Sequence, residues 1–220
     1  MSQPISVNIW SDIACPWCYI GKRKFEQGLA DFAGADDVEI TYHSFELAPD
    51  TPVDFEGSEV DFLASHKGMD EAQVEQMLRQ VTTIARDVGL EYDFDTVKHT
   101  KTLLAHQALH YAKAHDKQDA MVERLFAAYF EQGRHVGRAA ELADLGAEVG
   151  LDREDLLAAL EAGTYAEAVD ADLAQARAYG IQGVPFFVVD GRYGISGAQK
   201  PEVFTQALEQ VRTERAGAPA

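Results

Sequence analysis

Ile5-Ser6-Val7-Asn8-Ile9-Trp10 runs through Ser11-Asp12-Ile13-Ala14 into Cys15-Pro16-Trp17-Cys18. Residues 5 to 10 alternate apolar and polar side chains with the period of a β-strand. Pro16 suits the first turn of a helix, where its missing N–H goes unused. Ile20, Phe25, Leu29 and Phe32 continue that helix as an approximate buried stripe. A second strand is predicted over Val38 to Phe45, after a Gly/Asp-rich turn. Strand, helix, strand is the opening of a βαβ unit.

From Ala48 to Gly180 the apolar spacing is almost wholly helical. Val74, Met77, Leu78, Val81, Ile84, Ala85 and Val88 recur three and four apart, with Gly89 placed to end that helix. Further stripes include Met121 to Phe130, Leu142 to Val149 and Leu156 to Leu160, all read as core packing. Thr164-Tyr165-Ala166-Glu167 matches a capping box for a helix running to about Tyr179. The pattern then returns to β. Phe186 to Val189 is a strand, Asp190-Gly191 a two-residue hairpin turn, and Arg192 to Ser196 its partner. Val203, Phe204, Ala207, Leu208 and Val211 mark a closing helix, with a frayed tail expected from Arg215 to Ala220.

The order βαβ, helical block, ββα is that of an α/β thioredoxin-like fold around a four-stranded sheet. Residues 1–48 and 180–220 form the thioredoxin-like domain on this reading, and residues 49–179 a helical insertion domain. A structureless loop of that length would be improbable, so the insertion is expected to fold as a lid or side domain.

The chain has 220 residues and a formal charge of -18. That charge disfavours nucleic acid and anionic membranes as partners, because both are bound by clustered Lys and Arg. The longest basic run is Lys22-Arg23-Lys24. No secretory signal and no long apolar span is visible, so the expectation is a soluble cytoplasmic protein. Two cysteines three positions apart cannot build a disulfide framework. In a reducing compartment such a pair is catalytic or metal-binding more often than structural.

With Cys15 as the N-cap, the unpaired amides and the positive end of the helix dipole face its sulfur and favour a nucleophilic thiolate. Cys18 then lies within disulfide reach and resolves a mixed disulfide formed by Cys15. The rivals are two unrelated buried thiols, or half of a zinc site completed by His106-x-x-x-His110. The Cys–His gap is far outside usual zinc-module spacing, and the Pro16 helix suits redox work better. Gly183-Val184-Pro185 immediately precedes a strand. In the thioredoxin plan this is where a cis-Pro faces the redox pair, with the Val184 backbone free to pair with an extended substrate. Trp17 both packs and offers substrate contact. Glu46 is a candidate proton acceptor for Cys18 set against a solvated or structural role, and Gln199 a candidate flanking the site. His43, His106, His110 and His115 read as surface or satisfied core histidines.

With Cys15-Pro16-Trp17-Cys18, the helical insertion and Gly183-Val184-Pro185-Phe186-Phe187 in this order, the chain resembles the DsbA family. More closely, it resembles the FrnE-like dithiol–disulfide isomerases. Residues 11–21, Phe45 to Pro49, Ala127 to Phe130 and Gly194 to Gln199 carry the likeness nearly end to end. The resemblance implies a cytoplasmic enzyme exchanging disulfides with proteins or small thiols. Cys15 would be the attacking thiol, Cys18 the resolving thiol and Pro185 the cis-Pro. No bound cofactor is implied beyond the enzyme's own disulfide, with a low-molecular-weight thiol as an available reductant. Lys98-His99 departs from the Asn expected before Thr100, so His99 is a weak candidate for a helix cap or for shaping the mouth of the site. Kappa-class glutathione transferases and hydroxychromene-carboxylate isomerases share the architecture, but carry Ser at the nucleophile position. A glutathione-dependent isomerase or transferase is therefore the runner-up, and a zinc-stabilised interaction module the third reading. Substrate, redox direction and oligomeric state are left open.

Overall fold

Ile5, Val7 and Ile9 are buried on one side of the first strand, β1 (Ile5–Ser11), and around that strand the sheet assembles. The computed structural model describes residues 3–217. β1 pairs in parallel with β2 (Val38–Ser44), Ile5 opposite Val38 and Ser11 opposite Ser44. On its other side it pairs antiparallel with β3 (Phe186–Val189), which forms a hairpin with β4 (Tyr193–Ser196). The mixed sheet has the order β2-β1-β3-β4. Asp190 and Gly191 connect the hairpin with φ of 55° and 65°, the left-handed pair such a turn requires.

α1 (Pro16–Ala30) and α9 (Pro201–Gly217) are packed together beside the sheet. Phe25, Phe187 and Phe204 form their common centre, with ring centroids 4.7–5.6 Å apart. Gly28 lets the two helices meet: a Cβ added there would lie 2.4 Å from the Pro201 carbonyl oxygen. Gly28→Ala is therefore expected to destabilise the fold by about 1–3 kcal/mol, the usual penalty of overpacking. Thermal unfolding checks this, and an unchanged midpoint would show that the helices move apart freely.

Between β2 and β3 come α2 (Glu59–Lys67), α3 (Glu71–Arg86), α4 (Leu103–Ala114), α5 (Gln118–Phe130), α6 (Ala139–Glu148), α7 (Arg153–Glu161) and α8 (Ala166–Ala178). Apolar residues of α3 to α7 join the sheet in one core that reaches from Val7 to Leu156, while Ala176 of α8 packs with Trp10, Ile181 and Val188 in a smaller cluster. A polar network also crosses the junction. The Asp172 carboxylate on α8 accepts from the Ser44 amide (2.8 Å), His43 Nδ1 (2.7 Å) and His110 Nε2 (3.0 Å). Trp10 stacks on His43 and donates its indole N–H to the Asp172 carbonyl at 3.2 Å.

The structure corrects some local expectations. Thr164 caps no helix: α8 begins at Ala166, its N-cap residue is Tyr165, and no side chain closes a capping box. The apparent signature fails because the Thr164 amide instead closes the preceding turn onto the Ala159 carbonyl. Arg215 is not in a frayed tail. α9 continues through it to Gly217, and its guanidinium binds Asp190 and the Gln3 and Pro4 carbonyls. Residues 218–220, the rest of that expected tail, lie outside the described residues.

Candidate active site

Cys15 is the N-cap residue of α1, with extended backbone (φ -93°, ψ 111°), and Pro16 follows in the first turn. The Cys18 amide donates to the Cys15 carbonyl at 3.0 Å, closing that turn under the first sulfur. Both cysteines are free thiols, 4% and 3% exposed. The Cys15 thiol lies 3.6 Å from the Val184 carbonyl oxygen as a donor, and the Val184–Pro185 peptide is cis. The loop carrying Pro185 is held from two sides. Its carbonyl accepts from the Gly197 amide at 2.8 Å, and its ring packs so close to Gly21 that an added Cβ would lie 2.8 Å from Pro185 Cγ. Tyr92 reaches in from the segment after α3 and donates its hydroxyl to the Pro16 carbonyl at 2.7 Å. Trp17 stands half-exposed at the rim.

The two thiols sit in unlike surroundings. Burial pushes the Cys18 thiol well up, and a hydrogen bond and charge at Cys15 push it the same way. Contacts from the Ser11 side chain and the Asp12 backbone oppose the rise without cancelling it. Burial alone would also raise the Asp12 carboxyl. Interactions with His106, the Leu47 amide (2.7 Å) and Thr102 outweigh burial and hold it below the ordinary carboxylate value. His106 Nε2 is 3.4 Å from Asp12 Oδ1, an attraction that is not aligned as a hydrogen bond. His106 is fully buried with both ring nitrogens unpartnered, so it is not the satisfied core histidine expected from sequence.

Beside Cys15 the helical block encloses a cavity of about 220 Å³. Asp12, Ala14, Cys15, Pro16 and Trp17 line one side, while Phe62, Leu63, Met77, Leu78 and Val81 of α2 and α3 line the other. His99 lines it too, but not as a helix cap. α4 starts only at Leu103, after Thr102, and the His99 ring is buried against Phe62 with ring centroids 3.3 Å apart. Its Nδ1 is 2.9 Å from Glu59 Oε2, and its Nε2 is buried without a hydrogen-bond partner.

The other candidates lie apart. Glu46 does not line this cavity, and burial raises its half-buried carboxyl. Gln199 is exposed and folds back to the Ser196 carbonyl at 2.7 Å. His110 is engaged by Asp172 and Ser44. Among the described residues, no three His, Cys, Asp or Glu side chains converge in a way that could hold a metal ion. Sequence reading missed Tyr92, Glu59 and the role of Asp12. Only Asp12, three residues ahead of Cys15, carried a local signal, since Glu59 and His99 are 40 residues apart.

A family model described as a DSBA-like thioredoxin domain matches residues 6–209. The crystal structure of the probable DsbA oxidoreductase of Streptomyces coelicolor superposes with a TM-score of 0.91 at 39% identity, covering 98% of this chain and 93% of that one. The uncharacterized protein YwbO of Bacillus subtilis is 28% identical over 213 residues, 96% of this chain and 99% of its own. The cytosolic disulfide reductase DsbM of Pseudomonas aeruginosa, solved with GSH, shares the fold at a TM-score of 0.64 and 22% identity, over 94% and 99% of the two chains.

Proposed function

Because the chain belongs to the DSBA-like thioredoxin domain family, we propose that it is a thiol–disulfide oxidoreductase whose redox pair is Cys15 and Cys18. One observation carries this: Cys15 caps α1 with its sulfur beside the Val184 carbonyl, and Cys18 lies one helical turn on. The Cys15 thiolate attacks a substrate disulfide, forming a mixed disulfide and releasing one substrate thiol. Cys18 loses its proton and attacks Cys15 Sγ, releasing the second thiol and leaving the Cys15–Cys18 disulfide. Two electrons pass from the dithiol to the substrate; the reverse sequence oxidises a substrate dithiol.

Pro16 sets the helix start, while Trp17, Val184 and Pro185 form the surface on which substrate sulfur is presented. Asp12 lines the cavity beside Cys15, and Glu46, the candidate proton acceptor for Cys18, does not. Partners are protein or small-molecule thiols and disulfides in the cytoplasm, as FrnE-like enzymes would use. The DsbM structure with GSH supports counting small thiols among them. No cofactor beyond the disulfide is required by this chemistry.

The test is the equilibrium potential of the couple, read by thiol trapping in graded glutathione buffers. A single two-electron transition is expected, with a midpoint within the range of about -270 to -120 mV spanned by related couples. Absence of any transition, with both thiols free throughout, overturns the proposal.

A further inference from the structure

Ser11, the last residue of β1, has a buried side chain whose oxygen has no hydrogen-bond partner. Such an orphaned hydroxyl is a standing cost to the fold unless the group is used in another state of the molecule. The strand shows what it faces. Successive side chains of β1 alternate between the two faces of the sheet, so Ser11 shares a face with Ile5, Val7 and Ile9. Those three pack in the core that holds Cys18, Ile20 and Phe25 of α1, whereas Trp10 packs in the separate cluster on the other face. Ser11 thus ends the stripe on which the buried side of α1 rests, and Cys18, 3% exposed, is on that side. Burial raises the Cys18 thiol most, and among the groups that work the other way the Ser11 side chain comes first. Tyr92 also faces the cysteines, but its hydroxyl is committed to the Pro16 carbonyl at 2.7 Å.

We propose that the Ser11 hydroxyl is a catalytic hydrogen-bond donor to the Cys18 thiolate, free in the resting dithiol and engaged while Cys18 attacks the mixed disulfide. This rests on the thiol–disulfide reading and deepens it by assigning a residue to the second step. In that step the Cys18 S–H bond breaks, and the electron pair left on sulfur forms the bond to Cys15 Sγ. The bond between Cys15 and the substrate sulfur breaks, and the departing substrate thiolate takes up the proton by way of solvent. Ser11 transfers no proton. Its O–H turns toward the sulfur while charge is there and is released when the disulfide closes. A serine hydroxyl rotates to suit its partner, so no other group has to move. The oxygen is already out of contact with water, so the bond to the thiolate displaces none and needs no opening to the cavity.

The test mixes reduced protein with 4,4′-dithiodipyridine, whose two thiopyridones are released in turn. The first release is the bimolecular attack of Cys15, and reagent is raised until it outruns the second. The second is the intramolecular attack of Cys18, independent of reagent concentration. Ser11→Ala should leave the first release unchanged and slow the second by about three- to tenfold. That is the effect of one charge-assisted hydrogen bond, less the nucleophilicity that a less stabilised thiolate gains. The thermal midpoint of the reduced protein should not fall, because the hydroxyl has no partner in the dithiol. Ser11→Thr keeps the hydroxyl on a β-branched residue suited to a strand and should resolve at wild-type speed. A second release at wild-type speed in Ser11→Ala, a lowered midpoint, equal slowing of both releases, or equal slowing by alanine and threonine overturns the proposal while leaving the redox reading intact. No second release from the wild type overturns both, and the glutathione-buffer titration reports that failure independently.

Discussion

Cys15→Ser will lower disulfide-exchange turnover by at least about three orders of magnitude, because a serine hydroxyl is essentially never ionised near neutral pH and forms no disulfide. Cys18→Ser will behave differently: it will still attack, then stop. Cys15 remains at the N-cap of α1 in that variant, so the first exchange proceeds and the product is a stable mixed disulfide on Cys15. Mass spectrometry after one equivalent of disulfide should show the adduct on Cys18→Ser and none on Cys15→Ser. The second step also carries a pH signature. Burial, the largest cause that pushes the Cys18 thiol up, persists when Cys15 is tied up in the mixed disulfide, so deprotonation of Cys18 is favoured only as pH rises. Resolution of the mixed disulfide should therefore accelerate with pH into the alkaline range. If Cys18→Ser instead turns over normally once glutathione is supplied, the second sulfur is dispensable and the glutathione-dependent alternative prevails.

How far the site is legible in the sequence depends on whether its parts are local. Cys15, Pro16 and Cys18 lie within one helical turn, and the spacing plus the preceding strand pattern suffice to place them. Pro185 lies 170 residues away, but the order of elements brings it to the right strand end. The Glu59–His99 pair is another matter. Glu59 opens α2, behind its N-cap residue Ser58, while His99 sits in an irregular stretch before α4. Nothing in the apolar period of either segment announces their meeting. In the sequence His99 reads only as an imperfect helix cap or as part of the mouth of the site. The same holds for His43 and His110: each is polar on an otherwise packed surface, and only the docking of α8 shows that one carboxylate serves both.

That carboxylate is the second place where a large effect is expected. Asp172→Ala removes the shared acceptor of Ser44, His43 and His110 at a site whose side chains are only 10–12% exposed. Stripping one partner from a buried charged network typically costs about 3–5 kcal/mol. At roughly 2–4 °C per kcal/mol in a chain of this size, the midpoint should fall by about 6–20 °C. Asp172→Asn keeps the shape and loses the charge, so it should fall between wild type and alanine. The pH dependence gives the mechanism away. Burial alone would raise the Asp172 carboxyl, but the His110, His43 and Ser44 hydrogen bonds outweigh it and hold it well below its ordinary value of 3.8. A depressed folded-state value means the stabilisation is complete above the unfolded value and is lost as pH falls below it. Urea denaturation should therefore show a wild-type-to-alanine gap that is widest near neutrality and shrinks as the pH is lowered below 4. A gap that stays constant to pH 3 would mean Asp172 acts by packing alone. A shrinking gap would mean that a titratable anchor fastens the helical block, and with it the roof over Cys15, to the sheet.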